Sequence, residues 1–274
     1  MDYLEVETPM LVFSPGIDPY IDAIRAGKDF YLSTSPELQM KRLLTLGVQR
    51  IYQITHAFRE NEKGTHHNPE FTILEWYHSK INYKNMMQEV EQLVYHLFHE
   101  SSFAFPAQKK YTFPFPCISV DKLFYDFAGW EPSYLWDEDR FYFDWIDKIE
   151  PHLKLSGGVF VTDYPAPLAS LSKLNNDNPL LCERFELYLG GIEVANAYTE
   201  LVEPIEQIKR FRNYQKKRKK MGKESYTIDT KFIAALEHGI PECAGAAIGV
   251  DRLIMSILDI NDIQQVQAFP FDRL

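Results

Sequence analysis

Glu70-Phe71-Thr72-Ile73-Leu74-Glu75-Trp76-Tyr77-His78 alternates residue by residue, and a period of two is the signature of a β-strand. Alternation sets Phe71, Ile73, Glu75 and Tyr77 on one face and Thr72, Leu74 and Trp76 on the other. Upstream, Ile51 to Phe58 reads as a second strand, and the polar loop Glu60 to Pro69 joins the two as a long-looped antiparallel hairpin. The first face carries the anomaly. A carboxylate between apolar and aromatic neighbours is costly to bury unless it meets a cation, so Glu75 with Tyr77 points to a pocket for a positively charged ligand group. On this strand alone, an edge-strand glutamate facing water fits as well.

Outward from this hairpin the pattern turns helical. Ser35 as N-cap, Pro36 at the first helical position and the stripe Met40, Leu43 and Leu44 predict a helix over 36–46, ended by Gly47. Met86, Val90, Leu93, Val94 and Leu97 predict another over Tyr83 to His99. Phe185 to Leu189, Gly190-Gly191 and Ile192 to Val194 read as a second hairpin. Ala244 to Gly249 reads as a small-residue strand entering a helix whose apolar side is Leu253, Ile254, Ile257 and Leu258. Antiparallel hairpins with helices between them give an α+β domain, an antiparallel sheet flanked by helices. The aromatic, proline-interrupted stretch Ser101 to Leu155 is expected to be an inserted helical subdomain within a single domain, residues 1–274.

Composition bounds the function. With 45% apolar and 25% charged residues the 274-residue chain is ordinary globular protein, and its net charge of −10 argues against generic coating of nucleic acid. Cys117, Cys182 and Cys243 are too far apart for a Cys-x-x-Cys motif, which implies a reducing compartment. The start lacks a basic flank and an apolar run, and no stretch approaches the roughly 18 apolar residues of a membrane span. A cytoplasmic protein with no membrane partner is expected. The run Lys216 to Lys220 reads as a solvated helix face.

The candidate chemistry lies in carboxylates and arginines. A two-residue turn at Gly190-Gly191 sets Tyr188 opposite Glu193 and Leu187 opposite Val194, and so puts Glu186 and Glu193 on one sheet face. Such a pair suits a magnesium ion bridging nucleotide phosphates, or equally a structural salt-bridge network. Arg59 before the polar loop and Arg252 after Gly249 are placed like phosphate clamps. Neither a P-loop nor a Gly-x-Gly-x-x-Gly turn occurs. The pairs His66-His67 and His96 with His99 lack a third ligand at metal-binding spacing.

These residues resemble a known set, the catalytic domain of class II aminoacyl-tRNA synthetases of the lysine type. Leu4-Glu-Val-Glu-Thr-Pro9 is similar to the end of its first motif, Phe58-Arg-Glu-Asn-Glu62 with His67-Asn-Pro-Glu-Phe-Thr72 to its second, and Gly249-Val-Asp-Arg252 to its third. Thr34-Ser-Pro-Glu37, Tyr164-Pro-Ala166 and Gly191-Ile-Glu-Val-Ala-Asn196 extend the likeness along nearly the whole chain. Within that superfamily the phrases Thr34 to Leu44 and His67 to Tyr77 resemble the elongation factor P beta-lysine ligases. The resemblance implies six or seven antiparallel strands, no anticodon-binding domain, and ATP and Mg²⁺ as cofactors. It also implies a nucleotide site with Arg59 on the α-phosphate, Phe71 on adenine and Arg252 on the terminal phosphates, helped by Glu60, Asn61, Asn68, Val194 and Gly249. Glu186 and Glu193 would bind magnesium. Ser35, Pro36 and Glu37 would meet the substrate's amino group, while Glu75, Tyr77 and Glu200 would surround a distal ammonium, with Asn196, Tyr198 and Ala247 alongside.

The implied reaction activates a lysine isomer as its adenylate and passes the acyl group to a lysine of elongation factor P, with tRNA an unlikely acceptor. Alanine at position 247, where similar lysyl-tRNA synthetases carry glycine, favours (R)-beta-lysine over L-lysine. The resemblance also allows a homodimer. Two other readings are synthetase-like activation of L-lysine for another acceptor, and a catalytically silent amino-acid-binding module. In this chain the family's Arg-Asn-Glu reads Arg59-Glu60-Asn61 and its Asn-Gly-Phe reads Asn196-Ala197-Tyr198.

Overall fold

The hairpin around the polar loop forms the middle of one large sheet in the computed structural model, which describes residues 2–99 and 105–273. In chain order the strands are β1 (Leu4–Glu5), β2 (Leu11–Val12), β3 (Tyr31–Leu32), β4 (Arg50–Phe58), β5 (Glu70–Ser79), β6 (Cys117–Ser119), β7 (Gly158–Pro165), β8 (Leu181–Leu189), β9 (Ile192–Thr199) and β10 (Cys243–Gly249). The α-helices are α1 (Glu37–Leu43), α2 (Tyr83–His99), α3 (Val120–Ala128), α4 (Glu138–Asp144), α5 (Glu150–Leu155), α6 (Pro204–Lys220), α7 (Thr230–His238) and α8 (Val250–Leu258). The sheet order is β1-β4-β5-β10-β9-β8-β7-β6, while β2 and β3 form a separate pair. The interior is antiparallel throughout. The sheet is wider than the six or seven strands expected. Short β1 and β6, too brief to leave a period in the sequence, add an edge at each end and pair parallel with β4 and β7.

The two faces differ in chemistry. One presents Trp76, Ala244, Ala246, Ile248, Ala195, Ala197, Phe185 and Leu187, which form a single core with Met86, Val90 and Val94 of α2 and Leu253, Met255 and Ile257 of α8. The small residues of β9 and β10 let α2 lie close against the strands. The other face is sheltered at one end by α1, α6 and α7, packed around Met40, Leu44, Phe211 and Phe232. At its other end lie Phe124, Trp130 and Phe141, packed on Val159, Val161 and Tyr188. Between these two shoulders the face is open.

Several local expectations need correction. Helix α2 has the expected bounds, but α1 begins at Glu37 with Pro36 at its N-cap. Ser35 instead accepts from the Glu37 N–H at 3.1 Å and donates to Glu75 at 2.8 Å, so its hydroxyl is turned to the sheet. On α8, Ile254 and Leu258 are each 36% exposed and Met255 takes the buried position. The stretch expected as an inserted helical subdomain holds α3 to α5, with a π-helical turn Trp145–Ile149, and also gives β6 to the main sheet. Residues 101–104 of that stretch lie outside the described residues.

The basic run 216–220 is not a uniform solvated face. Arg218 is fully buried and donates to the carbonyls of Asp18, Ile21 and Glu224 at 2.7, 2.8 and 2.6 Å and to Asp22 at 2.7 Å. One guanidinium therefore pins the loop whose Asp18 and Ile21 line the open face. Arg218→Leu strips four acceptors of their donor and is expected to cost about 3 kcal/mol of stability, whereas Lys219→Leu at an exposed neighbour stays within about 0.5 kcal/mol. Denaturant unfolding of the two variants checks the contrast.

Candidate active site

Strand register assembles the site. Glu75, Ala247, Asn196 and Glu186 stand side by side across β5, β10, β9 and β8, and Tyr77, Gly245, Tyr198 and Arg184 form the next row. Alternation turns all eight to the open face. All of them but Glu186 floor a cavity of about 320 Å³ walled by α1, the 15–21 loop and the 59–68 loop. The Gly190-Gly191 hairpin forms with Tyr188 opposite Glu193, as expected. A bulge then sets Leu187 opposite Ala195 instead of Val194. Glu186 and Glu193 still share the face.

At one end the cavity is acidic. Glu37, Glu75 and Glu200 converge there, and Lys41, only 1% exposed, bridges Glu37 at 2.6 Å and Glu200 more closely. Glu75 receives Tyr77 Oη at 2.5 Å and Ser35 Oγ at 2.8 Å, and Tyr198 Oη donates to Glu37. Three carboxylates thus face one ammonium. Burial, aided by the neighbouring Glu37 charge, pushes the Glu75 carboxyl up to about 7, and burial raises that of Glu200 well above the usual range against the pull of Lys41. Gly245 makes the crowding feasible. A Cβ there would stand 2.4 Å from Glu200 Oε1 and 2.5 Å from the Tyr77 ring.

The other end is basic. Arg59 lies over the Phe71 ring at 5.0 Å and reaches Glu62 at 3.7 Å. Arg252 is fixed by the carbonyls of His66 and Glu193, both at 3.1 Å, and by His67 Nε2 at 2.5 Å. Burial and the Arg252 charge hold the His67 ring down at about 4, so it is neutral and accepts that bond. Asn68 lines the wall but is tied to backbone, donating to the Glu70 carbonyl at 2.7 Å and accepting from the Phe271 N–H at 3.3 Å. Val194 and Gly249 complete this end.

Four expected residues lie off the cavity wall. Pro36 caps α1 beside it, and Glu60 and Asn61 are exposed. The acid that reaches the cavity is Glu62, three residues after Arg59, because Asn61 adopts a left-handed conformation (φ 63°) that turns the loop back. Glu186 sits behind the cavity with every lone pair engaged. Tyr164 and Tyr188 donate to Oε2 at 2.5 and 2.6 Å, and Arg184 and Asn196 to Oε1 at 2.6 and 3.3 Å. As a metal ligand it does not fit this arrangement. Glu193 does fit: it is half-buried, its acidity is weakened by burial and by the Glu186 charge, and its nearest cation, Arg252, is 3.6 Å away. One free carboxylate is enough for an ion that takes most of its oxygens from phosphates and water. Among the described residues no group of three or more His, Cys, Asp or Glu could hold a metal alone. Lys41, Glu62 and Arg184 were not foreseen; the one signal was the Glu37 to Lys41 spacing of four on a helix.

The model of the family described as tRNA synthetases class II (D, K and N) matches residues 1–273. Proteins named elongation factor P (R)-beta-lysine ligase from Yersinia enterocolitica, Proteus mirabilis and Vibrio cholerae are each 37% identical to the chain, covering 98% of it and 89% of their own length.

The acidic end has a pH signature. With the Glu75 carboxyl near 7, the protonated form prevails below that pH and the ionised form above it. An ammonium ligand favours the ionised form, so its affinity is expected to rise from pH 6 to pH 8, with proton release on binding near pH 7. Calorimetry of a diamino acid in buffers of differing ionisation enthalpy measures both, and Glu75→Gln removes the proton release.

Proposed function

We infer, from a chain that belongs to the class II (D, K and N) tRNA synthetase family, an ATP-dependent ligase that activates (R)-beta-lysine and transfers it to a lysine of elongation factor P. The observation that carries this reading is the polarity of one cavity, with three carboxylates around Lys41 at one end and Arg59 with Arg252 at the other. A diamino acid offers ammoniums to the first and its carboxylate to a nucleotide held at the second. The named activity of the bacterial relatives supports the same assignment.

In this reading Phe71 stacks on adenine, Arg59 holds the α-phosphate and Arg252 the terminal phosphates, with Asn68, Val194 and Gly249 shaping the nucleotide wall. Ser35 and Glu37 meet the amino group near the reacting carboxylate. Glu75, Tyr77 and Glu200 take the distal ammonium, and Asn196, Tyr198 and Ala247 set the width between them. Glu193 would hold magnesium, which when bound would supply charge neutralisation for the leaving pyrophosphate. The substrate carboxylate attacks the α-phosphorus, a new O–P bond forms as the bond to pyrophosphate breaks, and no protein base is required. Arg59 stabilises charge on the equatorial oxygens. A neutral amine then attacks the acyl carbon, AMP departs with the electron pair of the broken C–O bond, and the proton lost by the nitrogen passes to water. We place the reaction in the cytoplasm, in keeping with three free thiols and no helix, among the described residues, long and apolar enough to cross a membrane.

Ala247 stands in the sheet between Glu75 and Asn196, where one methyl group narrows the floor. Isomer-dependent ATP–pyrophosphate exchange is expected to prefer (R)-beta-lysine over L-lysine, and Ala247→Gly to erode that preference by about 10-fold or more. Preference for L-lysine in the unmodified protein would instead show a synthetase-like activation, and no exchange in a folded, ATP-binding sample would show a silent module.

A further inference from the structure

The activation step as read above gives Lys41 no task. The residue is buried and does not itself line the cavity, whereas its two partners, Glu37 and Glu200, do. Its ammonium meets Oε1 of Glu37 at 2.6 Å and pairs more closely with Oε2 of Glu200. The Tyr198 hydroxyl donates to the same Glu37 oxygen, and the Tyr198 and Phe232 rings stand 5.4 and 6.0 Å from the ammonium. Burial opposes the charge, but the Glu200 and Glu37 carboxylates prevail and raise the ammonium well above the usual lysine range. Each carboxylate thus lends Lys41 one oxygen. Among the described residues the other oxygen of Glu200 is buried without a hydrogen-bond partner, and that of Glu37 takes no hydrogen bond. Glu37 opens α1 and Glu200 follows β9, whose end is anchored by the Glu200 N–H on the Cys243 carbonyl at 2.9 Å. The shared ammonium joins these two separate segments.

We propose that Lys41 is a positioning residue for activation: by clamping Glu37 to Glu200 it fixes the spacing between the near amino site and the distal ammonium site, and so delivers the substrate carboxylate to the nucleotide at one place. The inference rests on the adenylation reading above and adds what sets the permitted distance between the two amines. Reaction at a nucleotide depends on such placement, and a small displacement of the reacting group is expensive in rate. Charge alone predicts the opposite effect. Removing a cation from behind two carboxylates makes the pocket more negative and tightens its hold on any ammonium, whereas removing a clamp loosens it.

Pyrophosphate exchange separates the two. In Lys41→Met, which keeps the length and drops the charge, KM for (R)-beta-lysine is expected to rise and kcat to fall, each by about tenfold or more, with KM for ATP within about twofold of the unmodified protein. Calorimetry with 6-aminohexanoate, which carries the distal amine alone, is expected to show a smaller loss than (R)-beta-lysine, because one amine has no spacing to satisfy. Lys41→Arg restores the cation and is expected to recover part of kcat. Should Lys41→Met fail to fold, homologues read the spacing in the unmodified protein: 3,5-diaminopentanoate and 3,7-diaminoheptanoate, with the amines one carbon closer or farther apart, are each expected to be about tenfold poorer in kcat/KM. An unchanged or lower KM in folded Lys41→Met overturns the proposal, as does an equal loss for both ligands or use of the homologues on a par with (R)-beta-lysine. Absence of exchange in the unmodified protein, folded and binding ATP, would overturn the adenylation reading itself, and the clamp's role with it.

Discussion

The structure turns on a shortage of positive charge. Glu37, Glu75 and Glu200 are brought together out of water with Lys41 as their one ammonium among the described residues. Buried carboxylates in excess of cations either take up protons or wait for a cationic partner. The first response is visible in the upward shifts at Glu75 and Glu200. Much of the surrounding architecture serves this arrangement. Helix α1 supplies Glu37 and Lys41 one turn apart, β9 leads into Glu200, Gly245 leaves room for the carboxylate and the Tyr77 ring, and Phe232 of α7 comes within 6.0 Å of the ammonium.

The sheet converts that local constraint into a directed cavity. Because its back is filled by α2 and α8, the polar side chains have a single face to occupy, and the register lines them up in rows. Carboxylates at one end and guanidiniums at the other impose an orientation on any ligand that carries both ammonium and carboxylate groups. Side chains on paired strands are also held more firmly than side chains on loops, which suits a reaction governed by position and charge.

How much of this was legible in the sequence depended on whether a local pattern expressed it. Alternation around Glu75 was enough to place it with Tyr77 on one face, and the Gly190-Gly191 turn was enough to bring Glu186 and Glu193 to the same side. The bulge at Leu187 and Tyr188 left no such mark, since two residues opposing one is decided by pairing. Lys41 and Arg218 escaped because a buried cation is rare and its partners come from distant segments, Glu200 in one case and the carbonyls of Asp18 and Ile21 in the other. Glu60 and Asn61 were expected at the nucleotide, yet the backbone turn at Asn61 presents Glu62. Glu186 looked like a metal ligand because spacing shows where a carboxylate points and not which hydroxyls already fill its lone pairs.

The account is tested most directly by the charge requirement of the acidic end. Calorimetric titration of the intact protein with (R)-beta-lysine and with (R)-3-aminohexanoate, which keeps the carbon chain and lacks the distal amine, isolates that one ammonium. The account predicts that the analogue binds at least about 1,000-fold more weakly, because it leaves the buried carboxylates without their partner. Binding of the two within about tenfold of each other, a difference of some 1.4 kcal/mol, would contradict it.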